Sequence, residues 1–270
     1  MPGIVGPAQA QRARLIGTDR NRYNAHQSEA AMRTRKHNPW FQFKQFRVEQ
    51  GHSGMKVTTH ACLFGAYVPV ADCRHILDIG TGTGLLSLML AQRSNADIDA
   101  LELDAGACQD AARNFAASPW SARLHLHGTA LQQFQPPANR RYDCIVSNPP
   151  FFSASWRADD EARNLARHDD ALPLTDLLAA AQWLHDDGSL WLLLPVEADA
   201  RLQQACAGAG LAWRQRLDIR SKPDKPVSRR MWQLRRQGGN SSVHELCIHD
   251  PYPHYSHDSL HLLRPYYPSL

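Results

Sequence analysis

The segment Asn148-Pro149-Pro150-Phe151-Phe152 follows a short apolar run that is typical of a buried strand. Proline lacks a backbone N–H, and the second proline holds the first in an extended conformation, so the chain does not continue as a helix. We expect the Asn148 amide oxygen and the Pro149 carbonyl to face outward, with Phe151 beside them. Two acceptors next to an aromatic face suit a planar ring that bears an exocyclic NH2 group. The alternative is an ordinary proline-rich turn.

A glycine-rich loop provides the second chemical signal. Asp78 lies near the end of an apolar strand, and Gly80, Gly82 and Gly84 follow before a helical segment. Dinucleotide sites use G-x-G-x-x-G around a pyrophosphate, whereas the third glycine here comes one residue early and Asp78 would repel a pyrophosphate. An acidic residue suits the methionine end of S-adenosylmethionine. Glu102, about 20 residues beyond the loop, lies where a carboxylate reaches ribose hydroxyls. These five residues are the predicted cofactor site.

The elements around both motifs predict an α/β fold. Strand, glycine loop and helix form the first βα turn of a doubly wound sheet. We expect a Rossmann-like sheet of seven mostly parallel strands, with helices on both faces and the last strand antiparallel. The glycine loop follows the first strand of this sheet and the Asn-Pro-Pro turn follows the fourth. Both loops should therefore meet at the carboxyl edge, where the strand order reverses.

Composition restricts the class of protein. The chain has 270 residues and a formal net charge of +4, which by itself does not identify a nucleic-acid binder. Its six cysteines form no C-x-x-C pair, and its histidines form no H-E-x-x-H motif, so we predict reduced thiols and no metal site. No apolar run approaches the length of a membrane span, and we expect a cytoplasmic protein.

The organisation along the chain follows from composition shifts. Residues 1–38 have no sustained period and are predicted to be a basic, disordered extension. The folded domain would then occupy 39–270. It would begin with an N-terminal lid, 39–73, and end with a tail, 238–270. Within the lid, the alternation over 40–48 predicts one amphipathic strand.

Basic residues are candidates for contacts to a phosphate-bearing substrate. The connection between the last two predicted strands, 220–230, is proline-stiffened and carries Arg229 and Arg230. We predict phosphate contact there, with a solvated loop as the alternative. Lys44 and Lys56, in the lid, are the other candidates, and surface solvation is the alternative for both.

These motifs together resemble one family. Phe43-Lys44-Gln45-Phe46, Met55-Lys56-Val57, the 78–84 loop, Glu102 and the Asn-Pro-Pro-Phe-Phe segment resemble the bacterial tRNA1(Val) (adenine-N6)-methyltransferases. The resemblance implies methyl transfer from S-adenosylmethionine to the N6 of an adenosine beside the anticodon of a valine tRNA.

By the resemblance, Asn148, Pro149 and Phe151 are the catalytic residues, and Phe152 contacts the substrate with the four basic residues. No obligate protein partner is implied. Two positions depart from the family pattern: His60 stands where an aspartate is usual, and Ala130 stands where an acidic residue usually meets the cofactor's adenine.

Other functions remain open on the sequence. Asn-Pro-Pro-Phe is also used by guanine-N2 methyltransferases that act on rRNA. A catalytically weak homologue that binds S-adenosylmethionine or RNA is a third possibility, and a protein glutamine acceptor fits poorly with a basic rim.

Overall fold

The computed structural model describes residues 38–137, 140–149, 172–236, 238–250 and 252–270. Apart from Asn38, the predicted N-terminal extension lies outside this range, and Pro39–Leu270 form one compact unit. The strands are β1 Trp40–Gln42, β2 Arg47–Glu49, β3 His75–Ile79, β4 Asp97–Glu102, β5 Leu124–Gly128, β6 Tyr142–Ser147, β7 Leu184–Pro195, β8 Ala212–Arg220, β9 Val227–Arg235 and β10 Ser242–Cys247. The α-helices are α1 Thr59–Tyr67, α2 Leu85–Arg93, α3 Ala105–Ala116, α4 Leu174–Ala179, α5 Asp199–Ala209 and α6 His257–Leu263.

The central sheet has the order β10-β8-β9-β7-β6-β3-β4-β5. Among the described strands of this sheet, β9 alone runs antiparallel to its neighbours. The prediction of a mostly parallel, doubly wound sheet is confirmed, but the count of seven strands is wrong. The eighth strand, β10, is parallel to β8 and exposes its first four residues, so it has no apolar run that would reveal it.

Two apolar clusters cover the two faces of this sheet. One contains Leu63 of α1, Leu88 of α2 and Phe115 of α3. The other contains Leu177 of α4 and Leu202 of α5. Burial of both faces explains why the central strands read as continuous apolar runs rather than as alternating ones.

The lid segment folds differently from its prediction. Residues 40–48 do not form one strand, because β1 and β2 pair as a small antiparallel hairpin closed by the Phe43 N–H and the Phe46 carbonyl at 2.9 Å. The rings of Phe43 and Phe46 are buried and stack with centroids 4.5 Å apart. The alternation of aromatic and polar residues here belongs to a hairpin with a buried aromatic turn. A single short strand would show the same pattern, so the sequence did not distinguish the two.

Strand β7 contains Asp187 and Gly188, a pair of residue types that favours turns. The register between β6 and β7 shifts there, so the segment is a bulge within one strand. A Cβ on Gly188 would lie 2.9 Å from the carbonyl oxygen of Tyr142, so this close approach of two backbones requires glycine.

Candidate active site

The two predicted loops meet at the point where the strand order reverses. Strand β3 has β4 on one side and β6 on the other, and Ile79 lies opposite Ser147 in register. Gly80 and Asn148 directly follow these two residues. The prediction that the glycine loop and the Asn-Pro-Pro turn share one edge of the sheet is therefore confirmed.

Gly80 and Gly82 form an open backbone cradle. Both have left-handed conformations, with φ of +72° and +57°. A Cβ on Gly82 would meet nothing within 4 Å, and one on Gly80 would meet only the Leu172 side chain at 3.7 Å. The open space and the backbone conformation together suit a ligand that lies against the main chain.

Gly84 has a different role from the one predicted. A Cβ at this position would lie 2.4 Å from the Phe115 ring, and its φ is +81°. Gly84 precedes the first residue of α2. It therefore allows α2 to pack against α3 and does not line the cradle with Gly80 and Gly82.

Asp78 is fully buried beneath the loop. Its Oδ2 accepts hydrogen bonds from the hydroxyls of Thr81, at 2.6 Å, and Ser87, at 2.7 Å. Its Oδ1 is buried and has no hydrogen-bond partner within the described part of the chain. Burial raises the pKa of Asp78 to about 6, against the hydrogen bonds from Thr81 and Ser87 that lower it. One oxygen thus shapes the loop, and the other is an unsatisfied acceptor.

Glu102 ends β4 beside the cradle. Its Oε2 accepts from the Gly82 N–H at 2.7 Å, and its Oε1 accepts from the N–H groups of Leu103 and Asp104. The carboxylate therefore fixes the loop between strand and helix, and it lies where the sequence predicted a ribose-binding group.

A cavity of about 770 Å³ joins these residues. Gly80, Gly82 and Glu102 line one part of it, and Asn148 lines the same cavity. Ala130 also lines it, so the position that departs from the family pattern does face the predicted cofactor site. Asn148 is half-buried and Pro149 is buried, whereas Phe151 and Phe152 lie outside the described residues.

The loop His52–Met55 covers part of this cavity, and sequence reasoning missed what holds it. Asp110, fully buried on α3, accepts from the N–H groups of His52 and Ser53, both at 2.8 Å, and contacts the His52 imidazole at 2.8 Å. The sequence gives no sign that Asp110 holds this loop, because a lone aspartate in an amphipathic helix is common and its partners here lie more than fifty residues away.

The two predicted lysine contacts are engaged elsewhere. Lys44 Nζ donates to the carbonyls of Arg264, at 2.6 Å, and Leu270. Lys56 Nζ donates to the carbonyls of Gln50 and Ser53, which closes the covering loop. Neither ammonium lines the cavity. Lys44 thus ties the hairpin to the tail, and Lys56 supports the loop beside the site.

Arg229 and Arg230 lie on strand β9 and not in a loop as predicted. Arg230 pairs with Asp199 and, at 2.9 Å, with Asp218. Arg229 donates to the neighbouring Ser228 carbonyl at 2.9 Å. Because β9 is antiparallel, its first residues lie at the same edge of the sheet as Asn148. Arg229 therefore remains a candidate for phosphate contact, whereas Arg230 is committed to two carboxylates.

His60 is the second residue of α1 and lies near Arg229. Its Nε2 is buried and has no partner within the described residues. Burial, and secondarily the positive charge of Arg229, lowers the pKa of His60 to about 4. His60 is therefore neutral at pH 7. An aspartate at the same position would be negatively charged and would pair with Arg229.

Two kinds of feature are absent from the described residues. No group of three or more His, Cys, Asp or Glu side chains lies close enough there to hold a metal ion. No helix in that part of the chain is both long and apolar enough to cross a membrane.

A doubly wound sheet with an open glycine cradle and an acceptor-bearing turn at its switch point defines a methyltransferase domain. The family model of the methyltransferase small domain matches residues 52–201, more than half of the chain. The chain belongs to this family and, within it, to the tRNA1(Val) (adenine(37)-N6)-methyltransferases.

The relatives that carry this name come from several bacteria. The Cytophaga hutchinsonii protein is 48% identical over 176 residues, which cover 64% of this chain and 74% of the relative. The Parabacteroides distasonis protein is 42% identical over 198 residues, 73% and 84% of the two chains. The Yersinia pseudotuberculosis protein is 39% identical over 230 residues, 84% and 91% of the two chains.

Solved structures support the fold. A predicted O-methyltransferase from Agrobacterium tumefaciens superposes with a TM-score of 0.55 at 16% identity, over 76% of this chain and 95% of that one. A methyltransferase subunit of a type I restriction-modification system from Streptococcus thermophilus gives 0.54 at 16% identity, over 83% and 53% of the two chains.

The residues that line the cavity, together with Asp78 buried beneath the glycine loop, fit S-adenosylmethionine. The unsatisfied Asp78 Oδ1 is an acceptor suited to a cationic donor such as the methionine amino group. Gly80 and Gly82 leave the space that a side chain would fill. Glu102 presents a carboxylate suited to vicinal hydroxyls beside that space.

Proposed function

We propose that the chain transfers a methyl group from S-adenosylmethionine to the N6 of adenine 37 in tRNA1(Val), the reaction named for its relatives. One observation carries the proposal: Asn148 lines the same cavity as Gly80, Gly82 and Glu102. A methyl acceptor held by Asn148 and a donor held by the glycine cradle would therefore lie within one cavity.

The donor would be held by three kinds of group. Gly80 and Gly82 would bring the main chain against it, Glu102 would bind its ribose hydroxyls, and Asp78 would favour its cationic end. At Ala130, backbone groups would have to take the place of a side chain in binding the adenine. Bound there, S-adenosylmethionine supplies an electrophilic methyl group on a sulfonium centre.

Asn148 and Pro149 would bind the methyl-accepting base through hydrogen bonds. The N6 amine of a flipped adenine would donate one hydrogen bond to Asn148 Oδ1 and one to the Pro149 carbonyl. Positive charge develops on this nitrogen during methyl transfer, so both oxygens bind it more strongly in the transition state than in the ground state. Amide oxygens are weak bases, and the proton that the nitrogen loses would leave to water.

Aromatic and basic groups would complete the acceptor site. Phe151 would stack on the adenine, an interaction of roughly 1–3 kcal/mol for base–aromatic contacts. Phe152 would contact the same nucleotide, and Arg229 would bind a phosphate at the rim. Since tRNA is the substrate, we place the enzyme in the cytoplasm.

Mass spectrometry tests the function directly. The protein is incubated with S-adenosylmethionine and total tRNA from a strain that lacks the gene, and nucleosides are analysed after digestion. N6-methyladenosine in the fragment that contains position 37 of tRNA1(Val) is the expected product. N2-methylguanosine, or binding of the cofactor with no methylated nucleoside, would contradict the proposal.

A further inference from the structure

The chain segment after β10 forms an aromatic cluster at the carboxyl edge of the sheet. Tyr252 is 64% exposed, and Lys222 Nζ lies 4.2 Å from the centre of its ring. The His249 ring packs edge-on against Tyr252, at 5.4 Å, and is stacked on Tyr255 at 5.0 Å. We call Lys222, His249, Tyr252 and Tyr255 the tail platform.

Hydrogen bonds fix the tail platform to the end of β8. The N–H groups of Ile248 and His249 donate to the carbonyls of Arg220, at 2.9 Å, and Ser221, at 3.1 Å. The Ser256 N–H closes the turn onto the Ile248 carbonyl at 2.9 Å. An exposed ring on a backbone held at both ends is pre-organised, and it loses little freedom when it binds a partner.

The position of the platform relates it to the proposed active site. Strand β8 is separated from β6 by β7 and β9, which at ordinary strand spacing places its end about 14 Å to the side of β6. The register also carries Arg220 beyond the level of Ser147 along the strand direction. The platform therefore lies at the same edge of the sheet as the Asn-Pro-Pro turn, displaced from it toward β10.

The surroundings of the platform carry charges of both signs, and Lys222 is the cation beside the exposed ring. Arg220 pairs with Glu245 at 2.9 Å, and Lys225 lies 3.7 Å from Asp224. Asp250 adds one exposed carboxylate to the turn itself. Lys222 has no carboxylate partner among the ion pairs of the described residues, so its ammonium is available beside an exposed aromatic face.

We propose that the tail platform binds an unpaired nucleotide of the RNA substrate, with the base stacked on Tyr252 and a phosphate on Lys222. The proposal rests on the proposed function and extends it to a second subsite. Stacking on an aromatic face tolerates any base, and the adjacent cation binds the backbone. The nucleotide would be a neighbour of the methylated adenosine in the same single-stranded loop.

Binding of a fluorescently labelled anticodon stem–loop RNA tests the platform. Tyr252→Phe keeps the aromatic face and should bind as wild type does. Tyr252→Leu keeps an apolar side chain without the ring and should weaken binding by about tenfold, within the range of base–aromatic stacking. Lys222→Gln should flatten the dependence of log K on log salt by about 1. Val243→Ala, which trims an exposed residue near the start of β10, is the control and should change neither quantity.

Calorimetric titration with S-adenosylmethionine separates the two proposals. Every variant should bind the cofactor as wild type does, since none lines the cavity. Equal RNA affinity for Tyr252→Leu and Tyr252→Phe would overturn the platform while wild-type methylation of tRNA upholds the function. A wild-type protein that binds the cofactor but neither binds nor methylates tRNA would overturn the function and the platform together.

Discussion

The buried hydroxyl of Ser147 donates a hydrogen bond of 2.7 Å to the carbonyl of Ile79. These residues end the two strands that lead into the Asn-Pro-Pro turn and the glycine loop. The bond therefore joins the acceptor side of the proposed site to the donor side. In-line methyl transfer depends on the distance between the acceptor side and the donor side, because small displacements of the reacting atoms reduce rates strongly.

Ser147→Ala should lower kcat several-fold and reduce the free energy of unfolding by about 1 kcal/mol, since the Ile79 carbonyl loses a partner and the strand ends lose their link. Affinity for S-adenosylmethionine should change little because Gly80, Gly82 and Glu102 are untouched. Steady-state methylation and urea unfolding measure these quantities. Ser147→Thr retains the hydroxyl as a control. A wild-type kcat in the alanine variant would show that the link has no catalytic effect.

Asn148→Ala should reduce kcat by about 100-fold or more, the usual loss when one group that stabilises developing charge is removed. Binding of S-adenosylmethionine should be retained, because the glycine cradle follows β3 and Glu102 ends β4. Single-turnover methylation and calorimetric titration give the two values. Turnover near the wild-type rate would refute the assignment of Asn148 to the amine.

Glu102→Gln should weaken binding of S-adenosylmethionine by about tenfold, since a charged acceptor contributes roughly 1.5–3 kcal/mol and the amide retains part of it. RNA affinity should remain unchanged. Glu245→Gln is the matched control, because Glu245 is an exposed carboxylate on β10 away from the cavity. Equal cofactor affinity in both variants would remove Glu102 from the cofactor site.

His60 should make the fold less stable at acid pH. Its pKa is lowered to about 4 by burial and by Arg229, so below its ordinary value of 6.5 the unfolded chain binds a proton that the folded chain does not. Stability contributed by neutral His60 is present above pH 6.5 and is lost as the pH falls toward 4. The loss at pH 5 is about 2 kcal/mol relative to pH 7.

His60→Gln should remove this dependence. The raised pKa of Asp78 acts in the opposite direction, because stability falls as pH rises from its unfolded value toward 6. The difference between wild type and His60→Gln in urea unfolding at pH 5 and pH 7 cancels the Asp78 contribution. An identical pH dependence in the two proteins would show that His60 is not held neutral.

Arg229 and Arg230 should respond differently to neutralisation. Arg230→Gln breaks the pairs with Asp199 and Asp218 and should cost about 1–3 kcal/mol of unfolding free energy, because Asp218 is buried. Arg229→Gln should leave stability nearly unchanged and reduce the salt dependence of RNA binding by about one counterion. Denaturant unfolding and RNA titrations across salt concentrations compare them. The reverse pattern would exchange the two roles.

Local patterns in the sequence were sufficient to predict the switch-point geometry. The apolar runs of β3 and β6, the glycines after one and the prolines after the other each depend on neighbours within a few residues. Sheet topology then brings Gly80 and Asn148 together by a general rule. The fold class and the meeting of the glycine loop with the Asn-Pro-Pro turn could therefore be predicted from the sequence, whereas the assignment of the cofactor-binding residues stays a prediction.

Roles set by distant contacts were not predictable. In the sequence, Lys44 and Arg230 look like free positive charges. In the structure, Lys44 donates to the Arg264 carbonyl, 220 residues away, and Arg230 pairs with Asp199 and Asp218. Asp110 reads as a polar helix residue, although it holds the loop over the cavity. The spacing of residues along a sequence does not show whether a charged side chain is solvated or binds a carbonyl group from a distant part of the chain.

The reversed direction of β9 has a consequence for how substrate choice can change. If β9 were parallel to β8, a crossover connection would have to join the two strands. Because β9 is antiparallel, a short hairpin joins them, and this hairpin lies at the carboxyl edge of the sheet. Lengthening or exchanging residues 221–226 would alter what an RNA meets and leave the hydrogen-bond ladders intact. Contacts at this edge could thus change by replacement of this loop alone, without rebuilding the two apolar clusters that cover the sheet.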